Sequence, residues 1–183
     1  MKHKFKLIGL ISALVLGLYS MNSCVGLPDG IKPVEQFEKQ RYLGKWYELA
    51  RLDHTFERGL SQVTAEYSVR EDGGIKVANR GYNESKGEWS EAEGKAYFVG
   101  DSSVGHLKVS FFGPFYGSYA IFELDKEDYQ YAYITSYNRN YLWFLSRTPT
   151  VSATQKKQFL ARVKELGFDV DALIFVDHEK KVK

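Results

Sequence analysis

"LGKWYELARL" (residues 43–52) is the stretch on which the fold turns. It places Gly44 two residues ahead of Trp46 and then alternates large and small side chains. An indole buries some of the largest area of any side chain and is costly to leave in water. A strand that opens on Trp46 therefore needs something to cover the ring. Nothing next to it in sequence can do so, and the cover has to come from farther along the chain.

Upstream, residues 1–23 do not belong to the fold. Lys2, Lys4 and Lys6 precede a 13-residue run, Leu7 to Tyr19, that is apolar apart from Ser12. A spanning helix needs about 20 residues, so the run reads as a signal peptide. Removing its three lysines from 25 basic residues leaves 22 against 23 acidic ones, a net charge of −1. No basic stripe remains to draw nucleic acid. The single cysteine, Cys24, follows Ser23 directly after this segment. It reads either as an incidental thiol or as the lipid-modified first residue of an exported lipoprotein; its position favours the second. Met21-Asn22-Ser23-Cys24 resembles a lipobox, with Met21 and Asn22 departing from the usual residues. Residues 24–33 then read as a tether. Val25 to Pro33 hold two glycines and two prolines without periodicity, a reach of about 30 Å when extended.

Downstream, period-2 runs separated by turn signals predict eight strands near 45–52, 61–70, 74–82, 92–100, 105–112, 117–125, 129–137 and 141–147. In "SQVTAEYSVR" Val63, Ala65, Tyr67 and Val69 share a face. In "GHLKVSFFG" Leu107, Val109 and Phe111 do, and "YQYAYITSY" puts Tyr129, Tyr131, Tyr133 and Tyr137 on one parity. Ser152 with Gln155 three residues on predicts a capping box. It opens a helix whose apolar stripe is Phe159, Leu160, Val163 and Leu166, with Gly167 able to end it. "ALIFV" (172–176) reads as one more strand. Eight short strands in sequence order predict an all-β, antiparallel up-and-down barrel over residues 34–177, because closure removes the edges. The one-sided helix packs outside it, and residues 178–183 form a tail. An open sandwich is the alternative.

No catalytic constellation stands out, and no enzyme, metal or cofactor is expected. His54, His106 and His178 lack metal-ligand spacing, and neither a phosphate loop nor a nucleophile elbow is present. Glu91 and Glu93 read as a solvated face. Asn83-Glu84-Ser85 reads as turn chemistry.

Gly44-Lys45-Trp46 resembles the Gly-x-Trp signature of the lipocalin family. Two further matches follow in order. Asp128-Tyr129 lies between strands six and seven, where the family carries Thr-Asp-Tyr, although Glu127 replaces the Thr. Arg147 ends strand eight, where the family packs an Arg over that Trp. In an up-and-down barrel these three places fall at one end. The resemblance thus implies a floor built from Gly44, Trp46, Asp128, Tyr129 and Arg147, with Arg147 over the Trp46 ring. Longer runs, "RYLGKWYELARLDHTFERGL", "GKAYF", "LKVSFFGPFYG" and "YLWFLSRTPT", are similar to the bacterial outer-membrane lipocalins of the apolipoprotein D-like branch, over residues 33–177.

That resemblance implies a calyx binding fatty acids or phospholipid-derived lipids, anchored through Cys24 to the outer membrane and facing the periplasm. Val25 after the cysteine implies the outer-membrane sorting. The expected partners are this ligand and the bacterial membrane, with a homodimer left open. A lipid-acting enzyme, or a structural lipoprotein with a barrel filled by its own aromatics, are the alternatives. With Trp46 at the floor, the mouth loops are those after strands one, three, five and seven. The expected cavity residues are Val63, Ala65, Tyr67, Leu107, Val109, Phe111, Tyr131 and Tyr133. Phe112, Phe115 and Tyr116 form either an apolar lip or a packed turn. Arg58, Lys86 and Arg139 are placed to meet an anionic headgroup.

Overall fold

The computed structural model describes residues 25–179. Residues 1–24, which hold the expected signal peptide and Cys24, and residues 180–183 lie outside them. Eight antiparallel strands run β1 (Gly44–Arg51), β2 (Leu60–Val69), β3 (Ile75–Asn83), β4 (Glu88–Phe98), β5 (His106–Ser110), β6 (Gly117–Leu124), β7 (Tyr131–Thr135) and β8 (Leu142–Ser146). Each pairs with its sequence neighbour, and β1 pairs with both β8 and β2, so the sheet closes into a barrel. The strand pattern thus gives the closed barrel rather than the open sandwich. β1 divides its length: Gly44–Tyr47 face β2 and Tyr47–Arg51 face β8. Where β2 leaves it, the short strand β9 (Ile174–Phe175) pairs with Ala50 and Arg51 and covers the open edge.

A single turn of helix, α1 (Lys39–Tyr42), leads into β1. Helix α2 (Ala153–Glu165) starts on Ser152, whose side chain accepts a bond from the Gln155 backbone N–H. Only half of the expected box forms, because the Gln155 amide instead donates to the Tyr133 hydroxyl at 2.8 Å. Gly167, at φ +81°, ends the helix in the left-handed conformation that a glycine adopts without strain.

Two apolar clusters result. The inner one fills the lower barrel around Trp46, Tyr42, Ile121, Ala132 and Ile134. The outer one lies between barrel and α2, where Phe159 packs on Tyr133 and Phe144 with ring centroids 4.9 and 4.6 Å apart. Tyr131 and Tyr133 therefore face the helix rather than the cavity, and Ala132 and Ile134 hold the inward parity of β7. Tyr129 leaves the parity of its neighbours altogether, since it sits in the β6–β7 turn at φ +55° and is buried at the floor.

Candidate functional site

The narrow end of the barrel is closed by Trp46, which has no exposed surface. Its indole N–H donates to the Tyr42 carbonyl at 2.8 Å. The Arg147 guanidinium lies 3.8 Å above the ring centroid. That guanidinium also donates to the carbonyls of Lys45 at 2.9 Å, Arg41 at 2.7 Å and Tyr129 at 3.3 Å, so one planar fork ties β8, β1, α1 and the β6–β7 turn together. Gly44 adopts φ +91°, and a side chain there would approach Arg147 to 3.5 Å. The Tyr129 hydroxyl accepts the Glu38 backbone N–H at 3.0 Å. Asp128 does not join this set. Its side chain is exposed, and the turn is organised by Asp125, whose carboxylate accepts the backbone N–H groups of Glu127, Asp128 and Gln130.

Above the floor lies a cavity of about 690 Å³, within the ordinary range of small-molecule sites. Val63, Ala65, Tyr67, Leu107, Val109 and Phe111 line it, and so do Phe112 and Phe115 at its rim. The last two are 80% and 75% exposed, which separates them from a packed turn. Tyr116 is not in the wall; its ring sits by Tyr97 and Lys108. Ile75, Val77, Ala96 and Leu145 complete the apolar surface. Ile75 and Val77 alternate in "IKVANRG", a signal that could have placed them on the wall. Gly94 makes room for Phe111, whose ring would lie 2.9 Å from any Cβ there.

The three cations expected at the mouth are elsewhere engaged. Arg58 is bound to the Asp53 carboxylate. Lys86 lies 3.8 Å from Glu88. Arg139 donates to the Leu166 carbonyl at 2.7 Å and the Asp29 carbonyl at 2.5 Å, fastening the end of α2 and the N-terminal segment. None of them lines the cavity.

One wall is polar instead. Glu48, on the same face of β1 as Trp46, is buried in the cavity lining, and Arg51 Nη1 donates to it at 2.7 Å. Arg51 also donates to the carbonyls of Glu57 and Leu60, both at 3.0 Å. Burial, with Glu57 nearby, raises the Glu48 pKa well above the usual carboxylate range against the pull of Arg51. At the bottom, the Tyr119 hydroxyl lies 2.7 Å from that of Tyr42 and 2.8 Å from that of Tyr67. Burial raises all three tyrosine pKa values, so the trio stays neutral and hydrogen-bonding. The parity of Glu48 with Trp46 was a legible signal for a charge inside the barrel. The contacts of Glu57 and Tyr119 are set by loops and by distant strands, and no local pattern marks them.

The lipocalin-like domain family matches residues 37–178. The chain is 62% identical to the outer membrane lipoprotein Blc of Vibrio cholerae over 166 residues, 91% of this chain and 97% of that protein. It is 54% identical to the outer membrane lipoprotein Blc of Escherichia coli over 149 residues, 81% of this chain and 84% of that protein. Among solved structures, insecticyanin from the tobacco hornworm Manduca sexta superposes with a TM-score of 0.68 at 20% identity, over 86% of this chain and 89% of that one. This last likeness is one of fold alone.

Proposed function

The chain belongs to the lipocalin family, and from that premise we propose that it is a lipid-anchored carrier or scavenger that holds a single acyl chain in its barrel. The observation that carries the reading is the cavity of about 690 Å³, walled by aliphatic and aromatic side chains, with Tyr42, Tyr67 and Tyr119 at its bottom and the buried Trp46 packed on Tyr42. Fatty acids or lysophospholipids are the proposed class. Residues 1–23 are the proposed signal peptide and Cys24 the proposed lipidated N-terminus; residues 24–33, expected as a loose tether, run along the barrel of 34–177, with Asp29 held by Arg139 and Ile31 in the outer cluster. The names of the Vibrio cholerae and Escherichia coli relatives support an outer-membrane site for the anchor. Phe112 and Phe115 serve as the apolar lip over which the chain enters.

Each methylene buried contributes about 0.8 kcal/mol before the costs of association. Affinity of the delipidated barrel should therefore rise with chain length until the chain reaches the floor. Ala65 lies beside Trp46 in the register of β1 and β2, facing the cavity. Ala65→Trp should fill the lower cavity and weaken long chains more than short ones. Calorimetric titration with lipids of increasing length checks both. Affinity independent of length, and indifferent to Ala65→Trp, would leave the barrel as a scaffold.

A further inference from the structure

The mouth of the cavity carries an arrangement that acyl-chain binding does not require. Trp143 points inward from β8, and Phe56, Tyr137 and Tyr141 line the same end from the two flanking loops. These rings cluster around His54, whose centroid is 4.3 Å from Phe56, 4.9 Å from Trp143 and 5.9 Å from Tyr141; Tyr137 and Tyr141 are 5.3 Å apart. Glu57 is buried among them and also lines the cavity. Its Oε2 accepts the Trp143 indole N–H at 3.1 Å and lies 2.5 Å from His54 Nε2, which leaves Oε1 outside both contacts.

The charge balance at this end is one-sided. Arg58, Lys86 and Arg139, the cations of the mouth loops, are each turned to other partners and absent from the lining. Arg51 is committed to Glu48 and two carbonyls. Arg80, the cation that does line the cavity, is held 3.2 Å from Glu91 and 3.9 Å over the Trp89 ring, and His54 is turned to Glu57. A head whose outermost charge is negative would meet carboxylates and ring faces, with every nearby cation already partnered. Ring faces and a carboxylate together attract positive charge, and aromatic walls suit a quaternary ammonium, which has no N–H to satisfy. We propose that Phe56, Tyr137, Tyr141 and Trp143 wall a quaternary-ammonium site with Glu57 as its counter-charge, so that the ligand is a single-chain lipid with a trimethylammonium-bearing, choline-type head rather than a free fatty acid. The inference rests on the lipid-carrier reading and adds the head to the chain.

The test compares heads at one chain length. The delipidated barrel is titrated calorimetrically, below micelle formation, with an alkyltrimethylammonium, a lysophosphatidylcholine, the fatty acid and the fatty alcohol. The two trimethylammonium-bearing lipids should bind about tenfold tighter than the acid and the alcohol. Glu57→Gln should abolish that advantage. Because Glu57 is buried and its variant can lose stability, Phe56→Ala supplies the second arm: Phe56 is 59% exposed, and its loss should weaken the two trimethylammonium lipids severalfold more than the alcohol, narrowing the advantage. Equal affinity for all four heads, or tighter binding of the fatty acid, overturns the ammonium site and leaves the carrier standing. Failure of all four to bind overturns both.

Discussion

Trp46 and Arg147 show how a single contact can close a barrel. The ring is cut off from water, its N–H is satisfied by Tyr42, and its outer face is covered by a guanidinium that spends its remaining donors on three backbone carbonyls. Trp46→Ala should cost about 3–5 kcal/mol, the range for a buried large aromatic. Arg147→Lys keeps the charge but loses the planar fork and the stacked face. It should cost about 1–3 kcal/mol, from the lost carbonyl bonds and part of the ring contact. Denaturant unfolding measures both. A Trp46→Ala curve that overlays the parent would mean that the floor is not structural. At this scale the sequence was informative, because Gly44, Trp46 and Arg147 are residue types that few other environments demand. The resemblance misled at Asp128: the N–H groups of this turn bond to the Asp125 carboxylate, and the Asp128 side chain is left exposed.

At the scale of elements, alternation reveals a strand but not which side of it is inside. In "YQYAYITSY" both parities of β7 are apolar. One faces the barrel interior and the other faces α2, so Tyr131 and Tyr133 read as cavity wall until the helix is placed. Arg139 shows the same ambiguity for a loop: its carbonyl partners lie 27 and 110 residues away in sequence. The tyrosine trio is also non-local, joining the end of α1, β2 and β6 through three hydroxyls. Burial is the largest cause of the raised pKa in each. The unfolded tyrosines ionise near pH 10, and the folded ones retain their protons above it. The native state then binds more protons than the unfolded one, so this contribution to stability is complete below pH 10 and is lost as pH rises beyond. The melting temperature should fall between about pH 10 and 12, and less steeply in Tyr119→Phe. Titration of the folded protein by tyrosinate absorbance is the direct check. Ionisation of the trio together with the exposed tyrosines near pH 10 would contradict the assignment.

At the scale of the whole molecule, the architecture separates two tasks. The barrel floor is a rigid knot of α1, β1, β8 and the β6–β7 turn, and the mouth is made of loops. The N-terminal segment reaches the floor: Phe37 packs on Tyr42, Phe98 and Tyr129, and the Val34 and Phe37 N–H groups bond to the carbonyls of Ile121 and Ser103. Ahead of it, Ile31 packs with the outer cluster, and the Asp29 carbonyl is held by Arg139, which also binds the end of α2. The chain is therefore fastened to the barrel from the start of the described residues, since the Val25 backbone is hydrogen-bonded to His106 and Pro28 is buried, so a tether beginning at Cys24 has only about one free residue, a reach of about 4 Å. A lipid-modified Cys24 would then hold the barrel close against its membrane, within reach of lipids leaving the surface. One acyl chain gives marginal membrane binding, and stable anchoring takes two or more. Cys24→Ala should move the protein from the membrane fraction to the soluble fraction or leave an unprocessed precursor, while its purified barrel keeps the parent's lipid affinity. Lengthening the tether with a Gly/Ser insert after Val25 should leave fractionation unchanged but slow the transfer of fluorescent lipid from the membrane, because the barrel then samples a larger volume. Unchanged fractionation in Cys24→Ala would refute the anchor, and an unchanged transfer rate with the insert would refute the role of close tethering.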